Sequence, residues 1–154
     1  MIREDDIDTT ELAEFGDRNY IQNFTDENWE QLGRDISNNT HFKKLELYDE
    51  ALDDHKISSL FRGMTRSSSI TELSLCSNGL GAAAARSMVP FLQNANNLYS
   101  LDLDNNNIQS EGFNLLFRAL RDSPIKRLDC GYCGIESIQI DTKKIPRQLK
   151  SLLS

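Results

Sequence analysis

The chain contains no apolar run close to the roughly 20 residues that a membrane-crossing helix needs. It opens Met1-Ile-Arg-Glu-Asp-Asp with no apolar stretch behind, so a secretory leader is not expected. Cysteine is scarce and odd in number, three in all, which does not make a disulfide framework. These absences point to a reducing, intracellular setting, cytoplasmic in the simplest reading. The sequons Asn23-Phe-Thr25 and Asn38-Asn-Thr40 carry little weight without a leader. Bases are outnumbered, 17 against 24 acids, for a net charge of −7. A phosphate-backbone partner needs clustered Lys and Arg, so nucleic acid is not an expected partner. Histidine is limited to His41 and His55, and neither sits with Ser or Cys in a recognisable catalytic setting. No Gly-rich phosphate loop occurs. Gly79-Leu-Gly81 is turn chemistry ahead of a helix that starts at Ala82–Ala85. An enzyme is therefore not expected, nor a cofactor, a metal or a small-molecule substrate.

What is present is a repeat. Phe42-Lys-Lys-Leu45-Glu-Leu47, Ile70-Thr-Glu-Leu73-Ser-Leu75, Leu98-Tyr-Ser-Leu101-Asp-Leu103 and Ile125-Lys-Arg-Leu128-Asp-Cys130 follow at steps of 28, 28 and 27 residues. Between them run three apolar columns in register. They are Trp29, Ile57, Ala85, Phe113; then Leu32, Leu60, Met88, Leu116; then Ile36, Met64, Leu92, Leu120. Within a unit the spacing is three and then four residues, which puts the three side chains on one helix face. Each unit is one strand and one helix, and it cannot bury its own apolar face. It must stack on its neighbours.

A strand start of apolar-x-x-Leu-x-Leu at this period resembles the leucine-rich repeats. Units of 27–28 residues with a full helix resemble their ribonuclease-inhibitor-like class, best over Ile70–Leu92 with Asn78, Gly79, Leu80 and Gly81, and over Leu98–Leu120 with Asn106 and Ile108. The resemblance covers about residues 25–135. It implies an α/β leucine-rich-repeat solenoid, with a curved parallel sheet on the concave side and helices on the convex side. About four repeats follow an N-terminal helical half-repeat. The resemblance further implies a side-chain amide at Asn78 and Asn106 that bonds backbone left unpaired by the turn. Glu50 and Cys133 stand at that position in units one and four.

The expected organisation is an acidic, disordered tail over 1–18 and a single domain over 19–154. Within it lie a cap at 19–41, repeats at 42–69, 70–97, 98–124 and 125–148, and an irregular or truncated end at 149–154. Tyr20–Phe24 is expected as a short capping strand, and Thr25 as a helix N-cap helped by Asp26 and Glu27. Strands are expected at 44–48, 72–76, 100–104 and 127–131. Beyond Ile135 the columns fail and Pro146 would break a helix, yet Leu149-Lys-Ser-Leu152 has the form of a new strand start. Two readings stay open there: an irregular cap, or a repeat array that runs on.

Cys130-Gly-Tyr-Cys133 has the spacing of a redox pair or half a zinc site. Register argues for a structural role, because Cys130 falls where other units place an inward Leu and Cys133 falls at the amide position. Cys76 is expected to face out.

The functional expectation rests on the concave face. Strand alternation places Lys44, Glu46, Tyr48 and Asp49 there from unit one, and Glu72, Ser74, Cys76 and Ser77 from unit two. Unit three adds Ser100, Asp102, Asp104 and Asn105; unit four adds Arg127, Asp129, Gly131 and Tyr132. Glu46, Ser74, Asp102 and Asp129 should form the middle column, and the strip of acids should attract a basic partner. Tyr48 and Tyr132 are candidate anchors at its flanks. The partner-binding residues expected are Glu46, Tyr48, Glu72, Ser74, Asp102, Asp104, Asp129 and Tyr132. The expected function is a non-catalytic protein-interaction module, with no membrane partner. The alternative, from the same resemblance, is a regulator of a small GTPase, like the Ran GTPase-activating proteins. A polar sheet face that is merely solvated remains the plain reading of the same residues.

Overall fold

In the computed structural model, the described residues are 11–12, 21, 23–48, 51–66 and 69–137. Helices and strands alternate along them. β1 is Glu11–Leu12, α1 Asp26–Asn38, β2 Lys44–Glu46, α2 Asp54–Met64 and β3 Glu72–Ser74. α3 is Ala82–Asn94, β4 Ser100–Asp102, α4 Gln109–Ala119 and β5 Arg127–Asp129. The five strands form one parallel sheet in the order β1-β2-β3-β4-β5. Neighbours in sequence are neighbours in space, as stacking of like units requires.

Local chemistry sets the helix starts. The Thr25 hydroxyl accepts the Asn28 N–H while the Asn28 side chain accepts the Thr25 N–H, so two orphan donors are satisfied at once. Hydrogen bonds from the backbone and from Thr25 hold the Glu27 carboxyl below the usual carboxylate range. The Asp53 carboxylate accepts the N–H groups of His55 and Lys56 at the head of α2. Gly81 carries no side chain to cap α3. Its N–H instead donates to Asp54 of the preceding helix at 2.5 Å.

The predicted columns are the core. Trp29, Ile57, Ala85 and Phe113 are buried, as are Leu32, Leu60, Met88 and Leu116, and Ile36, Met64, Leu92 and Leu120. They meet Leu45, Leu47, Leu73, Leu75, Leu101 and Leu103 from the inner face of the sheet, all buried. Each such leucine contributes about 1.5–3 kcal/mol by leaving water. Phe61 and Phe91 link α2 to α3 with ring centroids 5.3 Å apart. α1 and α2 approach unusually closely at Gly33 and Gly63. A Cβ on Gly33 would run into the Leu60 carbonyl, and one on Gly63 into the Glu30 carbonyl.

The strands start where the period places them and stop about two residues early. The cause is the asparagine. Asn78 Nδ2 takes the carbonyls of Leu47 at 2.7 Å and Leu75 at 3.0 Å, and Asn106 Nδ2 takes those of Leu75 at 2.9 Å and Leu103 at 3.0 Å. Carbonyls bound to a side chain no longer serve the ladder, and the chain turns toward its helix.

The first strand is a correction to the sequence reading. Glu11↔Lys44 and Leu12↔Leu45 pair within the stretch expected to be an unattached tail. Tyr20–Phe24 does not supply the capping strand, because Ile21 is helical and buried and Asn23 lies in a turn. Two residues held by backbone bonds need no apolar period, so pattern gives no sign of them. Asp49, Glu50 and the anticipated chain end beyond Ser137 lie outside the described residues.

Candidate functional site

The sheet register assembles the outward face. Lys44, Glu72, Ser100 and Arg127 pair across β2–β5 as one column. Glu46, Ser74, Asp102 and Asp129 form the next, as the alternation predicts. Tyr48, Cys76, Asp104 and Gly131 stand two residues further along each strand. The residues after Cys76, Asp104 and Gly131 turn left-handed in every unit: Ser77 at φ 56°, Asn105 at φ 55° and Tyr132 at φ 53°. Ser and Asn are common choices for a tight turn. A bulky aromatic with positive φ is not, and it costs about 1–2 kcal/mol. Tyr132 is also 92% exposed, against 42% for Tyr48. The turn therefore holds the ring out from the rim at an energetic cost.

The acids were expected to form a row of like charges. The structure gives every one of them a donor. Lys44 Nζ lies 2.8 Å from Glu46, and Arg127 Nε lies 2.5 Å from Asp129, whose carboxylate raises the Arg127 pKa. Glu72 accepts the Tyr99 hydroxyl, and this bond pushes the Tyr99 phenol pKa up. Asp102 accepts the Ser74 hydroxyl at 3.1 Å and the Asp104 N–H at 3.0 Å. Asp104 accepts the Gly131 N–H at 2.5 Å. The face carries five carboxylates against two cations, a net charge of −3. The two ion pairs sit at its ends, in units one and four. In the centre, Asp102 and Asp104 are held by neutral donors and keep their charge uncompensated by any cation. Tyr99 went unnoticed in the sequence because it sits before the strand, at a position that alternation leaves undefined.

The cysteines divide. Cys133 is buried, and its Sγ donates to the Leu103 carbonyl at 3.0 Å, the bond Asn106 makes one unit earlier. Burial raises its pKa, partly offset by the backbone around Asn106. Cys130 is half-buried rather than fully inward, because Leu128 and the rest of β5 are less covered than the strands before it. Burial, and then the neighbouring Cys133 thiol, push the Cys130 pKa up. A raised pKa disfavours the thiolate that redox and metal chemistry use. Cys76 lies on the outward face and is half-exposed.

His55 Nε2 lies 2.8 Å from Asp26, and both side chains are exposed. Among the described residues no group of three or more His, Cys, Asp or Glu side chains is arranged to hold a metal ion. Among them, too, no helix is long and apolar enough to cross a membrane. Two shallow depressions of about 360 and 400 Å³ flank the start of α4, lined by Ser110 and Glu111, and lie apart from the sheet face.

Two solved structures are similar to this arrangement. One is the C-terminal domain of tropomodulin from Caenorhabditis elegans, with a TM-score of 0.60 and 18% identity. It is matched over 71% of this chain and 65% of that one. The other is leiomodin-1 actin-binding site 2, with a TM-score of 0.58 and 16% identity, matched over 74% of this chain and 64% of that one. The fold is a leucine-rich-repeat-like α/β solenoid. No protein-family model matches the chain. In sequence it is similar to the human (Homo sapiens) NACHT, LRR and PYD domains-containing protein 14, 31% identical over 118 residues. That match spans 75% of this chain and 11% of the relative, so the chain corresponds to a small part of it.

Proposed function

We propose that this chain is a non-catalytic protein-interaction module that docks a protein partner on the concave face of its sheet. The observation that carries the reading is the register. Four strands bring polar and tyrosine side chains from units 27–28 residues apart into one contiguous face. Its inner side is wholly occupied by core leucines, so the outer side alone is available to a partner. Within this reading the partner is basic, because the face is net acidic and complementary charge speeds encounter and fixes orientation. Glu46, Glu72, Ser74, Asp102, Asp104 and Asp129 form the polar floor, and Tyr48 and Tyr132 are the anchors. We assign the units to the ribonuclease-inhibitor-like class from their 27–28-residue step, and place the protein in the cytoplasm. Leiomodin-1 site 2 is named for binding actin. That supports a protein as the class of partner and does not identify it.

The test is capture. Immobilised chain should retain a protein from cell lysate that mass spectrometry can identify. A variant with Glu46→Gln, Asp102→Asn, Asp104→Asn and Asp129→Asn should not retain it. Equal retention by both would place the contact elsewhere.

A further inference from the structure

We propose that the segment seated on this face is an α-helix of the partner, basic along the stripe that meets Ser74, Asp102 and Asp104, and held between Tyr48 and Tyr132. This rests on the docking reading above and goes beyond it by naming the shape and chemistry of what docks.

Three observations lead there. The first is relief. The floor between the tyrosines is built of short side chains: Ser74, Cys76 and Ser77 on β3 and its turn, Ser100 on β4 and Gly131 after β5. Tyr48 rises from the β2 end and Tyr132 from the β5 end. Three strand spacings of about 4.8 Å separate them, roughly 14 Å. A helix with its side chains measures about 10–12 Å across.

The second is backbone satisfaction. The ladder bonds lie in the plane of the sheet, so its face has few groups to offer a peptide backbone. An extended segment laid on it would lose water from its own N–H and C=O groups without replacement, at a cost per group. A helix brings its backbone already paired and offers only side chains.

The third is charge complementarity. The ion pairs close off the ends of the face, Lys44 with Glu46 and Arg127 with Asp129. The central carboxylates Asp102 and Asp104 are oriented by Ser74 and by backbone N–H groups, without a cation. Acceptors already fixed in place lose little freedom when a guanidinium or ammonium group reaches them.

The probe is a lactam-bridged helical peptide of about 15 residues with arginines on one stripe. Two controls accompany it: the same peptide interrupted by central prolines, and a helix with glutamate in place of arginine. Amide chemical shifts of the isotope-labelled full chain report binding. The arginine helix should perturb Ser74, Asp102, Asp104, Gly131 and Tyr132. The proline-interrupted peptide should bind about tenfold more weakly, because ordering it has an entropic cost. The glutamate helix should leave the spectrum unchanged. Tyr132→Asn, which places at this left-handed position the residue found at Asn105, should weaken the arginine helix at least about fivefold while folding normally. Equal affinity for the helical and interrupted peptides would overturn the proposal. So would shifts confined to α1–α4, or no binding by any of the three. The wider docking reading fails by a different sign, retention of the captured protein by the four-site face variant.

Discussion

Replacing Asn106 offers the sharpest check on how the units are joined. Its Oδ1 accepts the Leu80 N–H at 3.1 Å, and its Nδ2 donates to the carbonyls of Leu75, Leu103 and Asp104. The losses on Asn106→Ala are unequal. Leu75 keeps a donor in Asn78, and Leu103 keeps one in Cys133. The Leu80 N–H loses its acceptor outright inside the core. One orphaned buried donor costs about 1–3 kcal/mol, and two weakened acceptors about 0.5–1.5 kcal/mol each, so a loss of about 2–5 kcal/mol is expected. Asn78 is less buried, so water can replace part of what Asn78→Ala removes, and about 1–3 kcal/mol is expected there. Asn106→Asp separates acceptor from donor. At neutral pH it keeps the bond from Leu80, but a buried carboxylate then faces carbonyl oxygens with no proton between them. Its folded pKa must rise. The variant should recover stability as pH falls, because the protonated acid regains a donor. Urea unfolding followed by circular dichroism measures all three. Losses below about 1 kcal/mol for both Asn106→Ala and Asn106→Asp at neutral pH would refute the idea that this amide clamps adjacent units.

Leu73→Ala and Leu101→Ala should each cost about 2–5 kcal/mol in the same assay, since both side chains are fully buried on central strands. Gly63→Ala should cost about 1–3 kcal/mol by forcing α1 from α2, and an unchanged urea midpoint would contradict the close approach. Among the three thiols, Cys76 should label first with a thiol reagent, with Cys130 and Cys133 reacting only on unfolding. Rapid labelling of all three would revive the redox reading of the C-x-x-C. Because the folded Cys130 and Cys133 pKa values are raised from the ordinary 9.0, stability should hold below pH 9 and fall as pH rises above it. The unfolded thiols ionise there first, and Cys130→Ala should flatten that slope.

Much of the fold was legible because it is written twice, once as a period between units and once as helical spacing within each. Ile57, Leu60 and Met64 would suit a buried helix face in many folds. Their alignment with Trp29, Leu32 and Ile36 makes them one layer of a stack. The amide clamp was legible only through the resemblance, because Asn78 and Asn106 read alone are ordinary turn residues. Three features escaped the sequence for physical reasons. β1 is joined to β2 through backbone bonds, and Glu11-Leu12 carries no pattern to mark it. Strand alternation located Asp102 and Asp104 but not the Ser74 hydroxyl and the backbone N–H groups that orient them, since those depend on atoms brought from neighbouring units. The contrast between Cys133 and Cys130 depends on how well the final strand is covered, which register alone does not express.

The most direct test of the docking face is an association-rate measurement on the partner recovered by capture. The four-site variant, Glu46→Gln with Asp102→Asn, Asp104→Asn and Asp129→Asn, preserves side-chain size and the Oδ1 acceptor that Asp102 offers to the Asp104 N–H. It should fold normally and associate about tenfold or more slowly at low salt, since charge steers encounter. The gap should close toward 1 M salt, where the Debye length is about 3 Å. A normally folded variant that associates at the wild-type rate at low salt would contradict the account, and the sheet face would then be a solvated surface.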